Sequence, residues 1–226
     1  MAKPPARPPP DPTAPDAAVR WFRDRLILTD DEFQALQDAT HELAFTIADV
    51  NQLDLVTEVW EALDSAIANG ETLDDFQERV SDRLASAWGG EEPWRVENIF
   101  RTNAQSAYAA GRYEQMSDPP VKAARPYWRF SAVNDARTTL VCQDSDDVIL
   151  AADHPWWQGH YPPLHFQCRS HAVTLSEEEA QGEGITPNPP ATPAMEGFGM
   201  APSSGAEDFE ADANDYPAPL WREYGS

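Results

Sequence analysis

The chain has 226 residues, 41% of them hydrophobic, 24% charged, 21 of them proline, with a formal charge of −23. A charge that negative argues against sequence-independent DNA binding, which depends on Lys and Arg neutralising phosphates. No apolar run approaches the roughly 20 residues that span a bilayer, and the start lacks the apolar stretch of a signal peptide.

Proline and acid are concentrated at the ends. The start reads KPPARPPPDPTAP, and from Glu177 onward the chain is rich in Glu, Asp, Pro, Gly and Ser. Such segments bury too little apolar surface to offset chain entropy. They divide the chain into a Pro-rich N-terminus (1–16), a helical region (17–120), a small α+β subdomain (121–176) and an acidic tail (177–226). Residues 1–15 and 182–226 are expected to be flexible in the free protein.

The helical region begins with Ala17 to about Leu28, where Val19, Phe22 and Leu26 share a face. Thr29, with Glu32 three residues on, reads as a capping box. Behind it Phe33, Leu36, Thr40, Leu43 and Ile47 alternate three and four apart and predict a second helix. A third uses Leu53, Val56, Trp60, Leu63 and Ile67 before Gly70. A fourth starts at Thr72 and uses Leu73, Phe76, Val80 and Leu84 before Gly89-Gly90. These stripes predict a bundle. Pro93 opens a longer helix through about Met116. On it Ala104, Ala107 and Gly111 make a small-residue face that permits close approach. Arg101, Gln105, Tyr108 and Arg112 form a polar row beside it. The row is either a solvated face or a contact with a partner.

After Pro119-Pro120 the period changes. Residues 127–133 read as a strand, Asn134-Asp135 as a turn, and 148–150 and 172–175 as short strands. Asp135 and Arg137 flank the turn, as an intramolecular charge-assisted clamp or a contact with a neighbour. Trp156, Trp157 and Tyr161 either anchor a partner or cover a core that an irregular loop cannot close. The fold class is therefore mainly α, an N-terminal helical bundle whose long helix packs on a small loop-rich α+β subdomain.

Three segments, FRTNAQSAYAAGRYEQM (100–116), PYWRFSAVNDARTTLVC (126–142) and HYPPLHFQCRSHAV (160–173), occur in order. Together they resemble the Mu F-like phage head-morphogenesis proteins, or minor head proteins. With the helical lead-in, the resemblance covers roughly residues 18–175. It implies a structural role in head assembly or DNA packaging and delivery, at the portal vertex or capsid interior. The implied partners are the portal protein and/or the major capsid protein. Relatives often carry Cys-x-x-Cys after the Arg-Thr turn and Cys-Arg-Cys at the close. Here Thr139 and Ser170 stand at two of those four positions, which excludes a four-cysteine site.

What remains is Cys142, His165 and Cys168, with His171 as a candidate fourth ligand. Two sulfurs and two imidazole nitrogens suit tetrahedral zinc. The same residues also fit a buried thiol pair with a hydrogen-bonded histidine, or a disulfide formed after virion release. Asp144, Asp146, Asp147 and Asp153 lack the fixed spacing of a hydrolase base. Neither a Gly-rich phosphate loop nor a Gly-x-Ser-x-Gly elbow occurs, so no catalysis is expected. The alternatives to a head protein are a metal-dependent enzyme and the carrier domain of a secreted toxin.

Overall fold

The computed structural model describes residues 16–35 and 44–202. The expectations for the Pro-rich start and for residues 203–226 fall outside these. In chain order the elements are α1 (Asp16–Arg23), β1 (Leu26–Ile27), α2 (Asp30–Gln34), β2 (Ala44–Phe45), α3 (Leu53–Asn69), α4 (Leu73–Trp88) and α5 (Pro93–Ser117). Then come α6 (Pro119–Ala124), β3 (Tyr127–Ser131), α7 (Leu140–Ser145), β4 (Ile149–Ala151), α8 (Trp157–His160), β5 (His171–Leu175) and α9 (Glu177–Glu183).

The bundle forms where the apolar stripes predict it. Leu55, Val56, Val59, Leu63 and Ile67 of α3 meet Phe76, Val80 and Leu84 of α4, with Val96 and Ala107 of α5 closing the core. Thr72 caps α4 in a capping box with Asp75, and Gly70 and Gly89 end α3 and α4 in the left-handed region that glycine enters without penalty. Phe22 of α1 stacks on Trp60 with ring centroids 5.6 Å apart. Arg23 holds Asp64 through two nearly buried bonds of 2.6 and 2.9 Å. The small-residue face of α5 does what its composition suggests. Gly111 lies so close to α1 that a Cβ there would stand 2.8 Å from Ala18 N.

Residues 24–27 and 44–45 depart from the periodicity. α1 stops at Arg23, and Leu26–Ile27 instead pairs in parallel with Ala44–Phe45. The expected second helix begins where its capping box predicts, as α2 with Thr29 and Glu32 bonded reciprocally, but Ala44–Phe45 of the same stripe is extended as β2. Residues 36–43 of that stripe lie outside the described region. The reason is tertiary. In extended conformation Phe45 reaches the edge of the Phe22 ring, and Ile47 and Val50 join the same core. That burial outweighs the weak helical preference of Thr46 and Ile47.

The subdomain is a three-stranded antiparallel sheet, order β4-β3-β5, with Phe130 opposite Ala172. Its core gathers Trp128, Phe130, Trp156, Trp157, Tyr161 and Leu164 against Ala109 and Met116 of α5. Tyr161 also donates to Ala109 O at 3.1 Å. Since Val96 and Ala107 belong to the bundle core, α5 is a spine shared by both halves. The mainly α architecture with a small α+β part follows directly.

Both sheet edges are closed. On β5 the outward carbonyls of Ser170, Ala172 and Thr174 accept from Gln105, Arg112 and Arg125. On β4, Ile149 exchanges two bonds with Thr186, N–H to Oγ1 and carbonyl to N–H. An open edge would invite another strand, and these side chains occupy carbonyls it would use.

The expectation of a flexible segment from residue 182 is corrected for 182–202. After α9 the chain runs over the subdomain. Trp156 Nε1 donates to Pro190 O at 2.7 Å, Met195 N to Leu164 O, and Gly199 N to Pro163 O. Its polar backbone groups are satisfied by the aromatic loop, which a reading of composition alone does not reveal. Among the described residues no helix is long and apolar enough to cross a membrane.

Candidate functional site

Thr139 is the N-cap of α7, which places Cys142 in the first turn facing the subdomain core. The loop after Tyr161 returns to the same spot. Gln167 takes φ 55°, rare for a residue with a side chain, and Cys168 N bonds back to His165 O at 3.2 Å. This tight turn sets His165 and Cys168 on one side. Cys142 Sγ lies 3.3 Å from His165 Nε2 and 3.8 Å from Cys168 Sγ. All three donor atoms fall within 4.8 Å of one another, with both cysteines buried and His165 half-buried. Both thiols are free.

His165 Nδ1 is 2.7 Å from Phe166 O, and a carbonyl only accepts, so Nδ1 carries the proton. Nε2 of the neutral ring is then a lone-pair donor aimed at the sulfurs. The hydrogen bond from Cys142 pulls the Cys168 thiol below its ordinary range. The same bond, with burial, pushes Cys142 well above it. A thiolate on one sulfur is thus stabilised by the thiol of the other. The side chains of Thr139 and Ser170 also hydrogen bond with Cys142, opposing its rise. Positions 139, 142, 168 and 170 therefore converge on one point. Two supply sulfur here and two supply hydroxyl. Two sulfurs and an imidazole nitrogen at this spacing fit a borderline-soft divalent ion, with a fourth ligand from outside the triad.

His171 is not that ligand. From Cys168 the chain is extended, and its alternate residues Cys168, Ser170 and Ala172 point inward. His171 falls on the opposite, exposed face, opposite Ser131 of β3. Burial, with the charges of Arg112 and Arg129, lowers its pKa. It lines a groove between α5 and β5 shared with Gln105 and Tyr108.

The turn clamp exists with a different cation. Asp135 receives Arg169 bidentately at 2.6 and 2.7 Å, whereas Arg137 hydrogen bonds to it only through its backbone N–H, at 2.9 Å. These bonds hold the Asp135 carboxyl far below the usual carboxylate range, the Arg169 guanidinium first among the causes. Arg169 sits between two inward residues, so alternation from Cys168 could have identified it.

The polar row of α5 divides. Gln105 and Arg112 are engaged with the edge of β5. Tyr108 Oη, 3.5 Å from Ile67 O, faces the bundle, and Arg101 pairs with Glu97 one turn back. Trp156 and Trp157 are 8% and 2% exposed, so neither is an exposed anchor; they cover the core. Among the described residues the exposed aromatics are Trp94, Phe166 and Tyr108, and the sequence did not single out the first two. Those two line a cleft with Arg101, Arg137, His165 and Arg169, directly beside the thiol pair.

The profile of the family described as "Phage Mu protein F like protein" matches residues 57–173. The chain is 30% identical over 189 residues to the "Putative capsid assembly protein F" of Escherichia phage Mu, covering 76% of this chain and 42% of that protein. It is 34% identical over 161 residues to the "Mu-like prophage FluMu F protein" of Haemophilus influenzae, covering 66% of this chain and 38% of that protein. The chain thus spans less than half the length of these curated relatives. No solved structure matches. The matched stretch runs from α3 through the Cys-His-Cys loop into β5, and the chain belongs to the Phage Mu protein F-like family.

Proposed function

We propose that this chain is a phage head-assembly protein of the minor head class, acting without catalysis. The observation that carries the reading is its similarity, over 76% of its length, to a protein named for capsid assembly. The structure supports a scaffolding mechanism. α5 is locked into two cores at once, so the bundle and the subdomain form a stiff platform. In this reading the protein resides in the virion head, at the portal vertex or inner shell, against the portal protein or the major capsid protein. There it serves DNA packaging or delivery. Its charge of −23 supports docking on protein surfaces over tight binding to naked DNA. Heads and proheads isolated from cells producing the phage should contain the chain by mass spectrometry. Its absence from both, with activity on a small molecule or nucleic acid, refutes the reading.

In the same proposal the subdomain holds one zinc ion through Cys142 Sγ, His165 Nε2 and Cys168 Sγ. The support is the donor set itself, two sulfurs and one nitrogen within 4.8 Å. The ion ties α7 to the returning loop and adds folding energy to a small core. Protein purified without chelators should carry about one zinc per chain. A metal-free preparation that neither takes up added zinc nor melts higher with it removes zinc from the proposal.

A further inference from the structure

The cleft beside the thiol pair is chemically unlike the rest of the molecule. The chain carries 39 acidic side chains against 16 basic ones. Yet this hollow of about 440 Å³ is lined by Arg101, Arg137 and Arg169 with no carboxylate in its lining. Arg101 and Arg169 are tethered from outside by Glu97 and Asp135, which fixes their guanidinium groups without filling their five donors. The Arg137 side chain makes no hydrogen bond or ion pair among the described residues, although its charge reaches Asp135. Trp94 and Phe166 stand at the same cleft, 64% and 51% exposed. The loop that presents Phe166 is anchored at both ends by buried side chains, Leu164 and Cys168.

We infer that this cleft is the docking site for an acidic segment of another head protein, which inserts a carboxylate between the arginines and lays an apolar side chain on Trp94 or Phe166. The inference rests on the proposed role in head assembly and gives that role a surface. Pre-oriented guanidinium groups favour bidentate carboxylates, and exposed aromatics beside arginine are the composition of interface anchors. The volume accommodates one or two side chains, not a duplex. The acidic surroundings repel a polynucleotide, which would carry its charge well beyond the arginines. A short acidic segment concentrates its charge where the arginines are.

The test uses the full chain in cells producing heads. A benzophenone amino acid replaces Leu140, which follows Thr139 of the cleft lining and is 66% exposed. Irradiated heads are digested and the cross-linked peptides sequenced. In parallel, Arg137→Glu and Phe166→Ala chains are measured for co-sedimentation with heads, and their folding is checked by thermal melts. Expected are a cross-link to an acidic stretch of a different head protein and a loss of incorporation of about tenfold for Arg137→Glu with an unchanged melt. Arg137→Glu that incorporates like the parent overturns the inference while leaving the assembly role standing. A cross-link to a second copy, to residues 203–226 of this chain or to nucleic acid overturns it equally. Failure of the parent chain itself to co-sediment refutes the assembly role, and the docking site falls with it.

Discussion

Replacing Gly111 with Ala tests how α1 is held. In an exposed helix interior the change would stabilise by about 1 kcal/mol, because alanine is the better helix former. At this position the added Cβ would stand 2.8 Å from Ala18 N and 3.2 Å from Ala18 Cα, both backbone atoms of a fully buried residue. Backbone cannot rotate away, so α1 must shift, and with it Phe22 on Trp60 and the Arg23–Asp64 pair. Overpacking of this kind costs about 1–3 kcal/mol, which exceeds the helix-propensity gain. With backbone as the neighbour the cost falls in the upper part of that range, about 2–3 kcal/mol, so a net loss of about 1–2 kcal/mol is expected, read as a lower urea midpoint and a melting temperature lower by about 2–8 °C. Gly182 in α9 provides the control, since a Cβ there meets nothing within 4 Å. Gly182→Ala should stabilise slightly. Adding Ala18→Gly to Gly111→Ala should restore only part of the loss, since the two nearest atoms are backbone. A Gly111→Ala protein as stable as the parent would refute the close-approach account.

The edge ladder predicts that Arg112→Ala and Gln105→Ala each lose about 1–2 kcal/mol by urea titration, and that the double variant associates more readily through the bared β5 edge on a sizing column. Asp135 has its pKa lowered in the folded state, so its stabilisation is present above about pH 4 and fades as the pH falls below that value toward the folded pKa; Asp135→Asn should flatten acid-melting curves in that window. Cys168→Ser should abolish zinc uptake and lower the melting temperature in zinc, whereas Thr139→Cys, which puts a third sulfur beside Cys142, should tighten zinc binding in competition with a chelator. Limited proteolysis should spare residues 185–202, because their hydrogen bonds to Trp156, Leu164 and Pro163 hold them on the subdomain; rapid cleavage there would contradict the packing.

What the sequence discloses about the fold depends on how local the causes are. α3, α4 and α5 were readable because stripe, cap and stop lie within each element: Thr72 with Asp75, Gly70 after Ile67, Pro93 at the start. β1 and β2 were not. Their pairing joins residues about 18 apart, Leu26 with Ala44 and Ile27 with Phe45, and its reward is the contact of Phe45 with Phe22. A window that counts apolar positions three and four apart cannot detect that burial, so it extends the helical stripe across Ala44 and Phe45 to Ile47. The path of residues 185–202 was hidden for a related reason. Pro190, Thr192 and Met195 are held through their own backbone groups, by the side chains of Trp156 and His160 and by Leu164 O, and no side-chain pattern advertises a backbone group as a partner.

The site shows the same division at closer range. Cys142, His165 and Cys168 were chosen for donor chemistry, and the fold brings all three together. His171 offers the same donor chemistry three residues beyond Cys168, and nearness in sequence misleads wherever the conformation between ligands is unknown. Three residues carry a helix almost once around, but in the extended run from Cys168 they reverse the face. The same alternation that turns His171 outward sends Arg169 outward as well, to Asp135 and the cleft, while Ser170 goes inward to Cys142. One short tripeptide, Cys168-Arg169-Ser170, thereby serves two sites on opposite faces, the buried thiol cluster and the arginine cleft. A perturbation of the cluster must then reach the cleft through Arg169, because the segment cannot move one face without the other. Loading or stripping metal at the thiols should accordingly alter Arg169 reactivity toward a guanidinium-selective reagent. Arg83, which pairs with Asp54 of α3 and lies outside the cleft lining, should not respond.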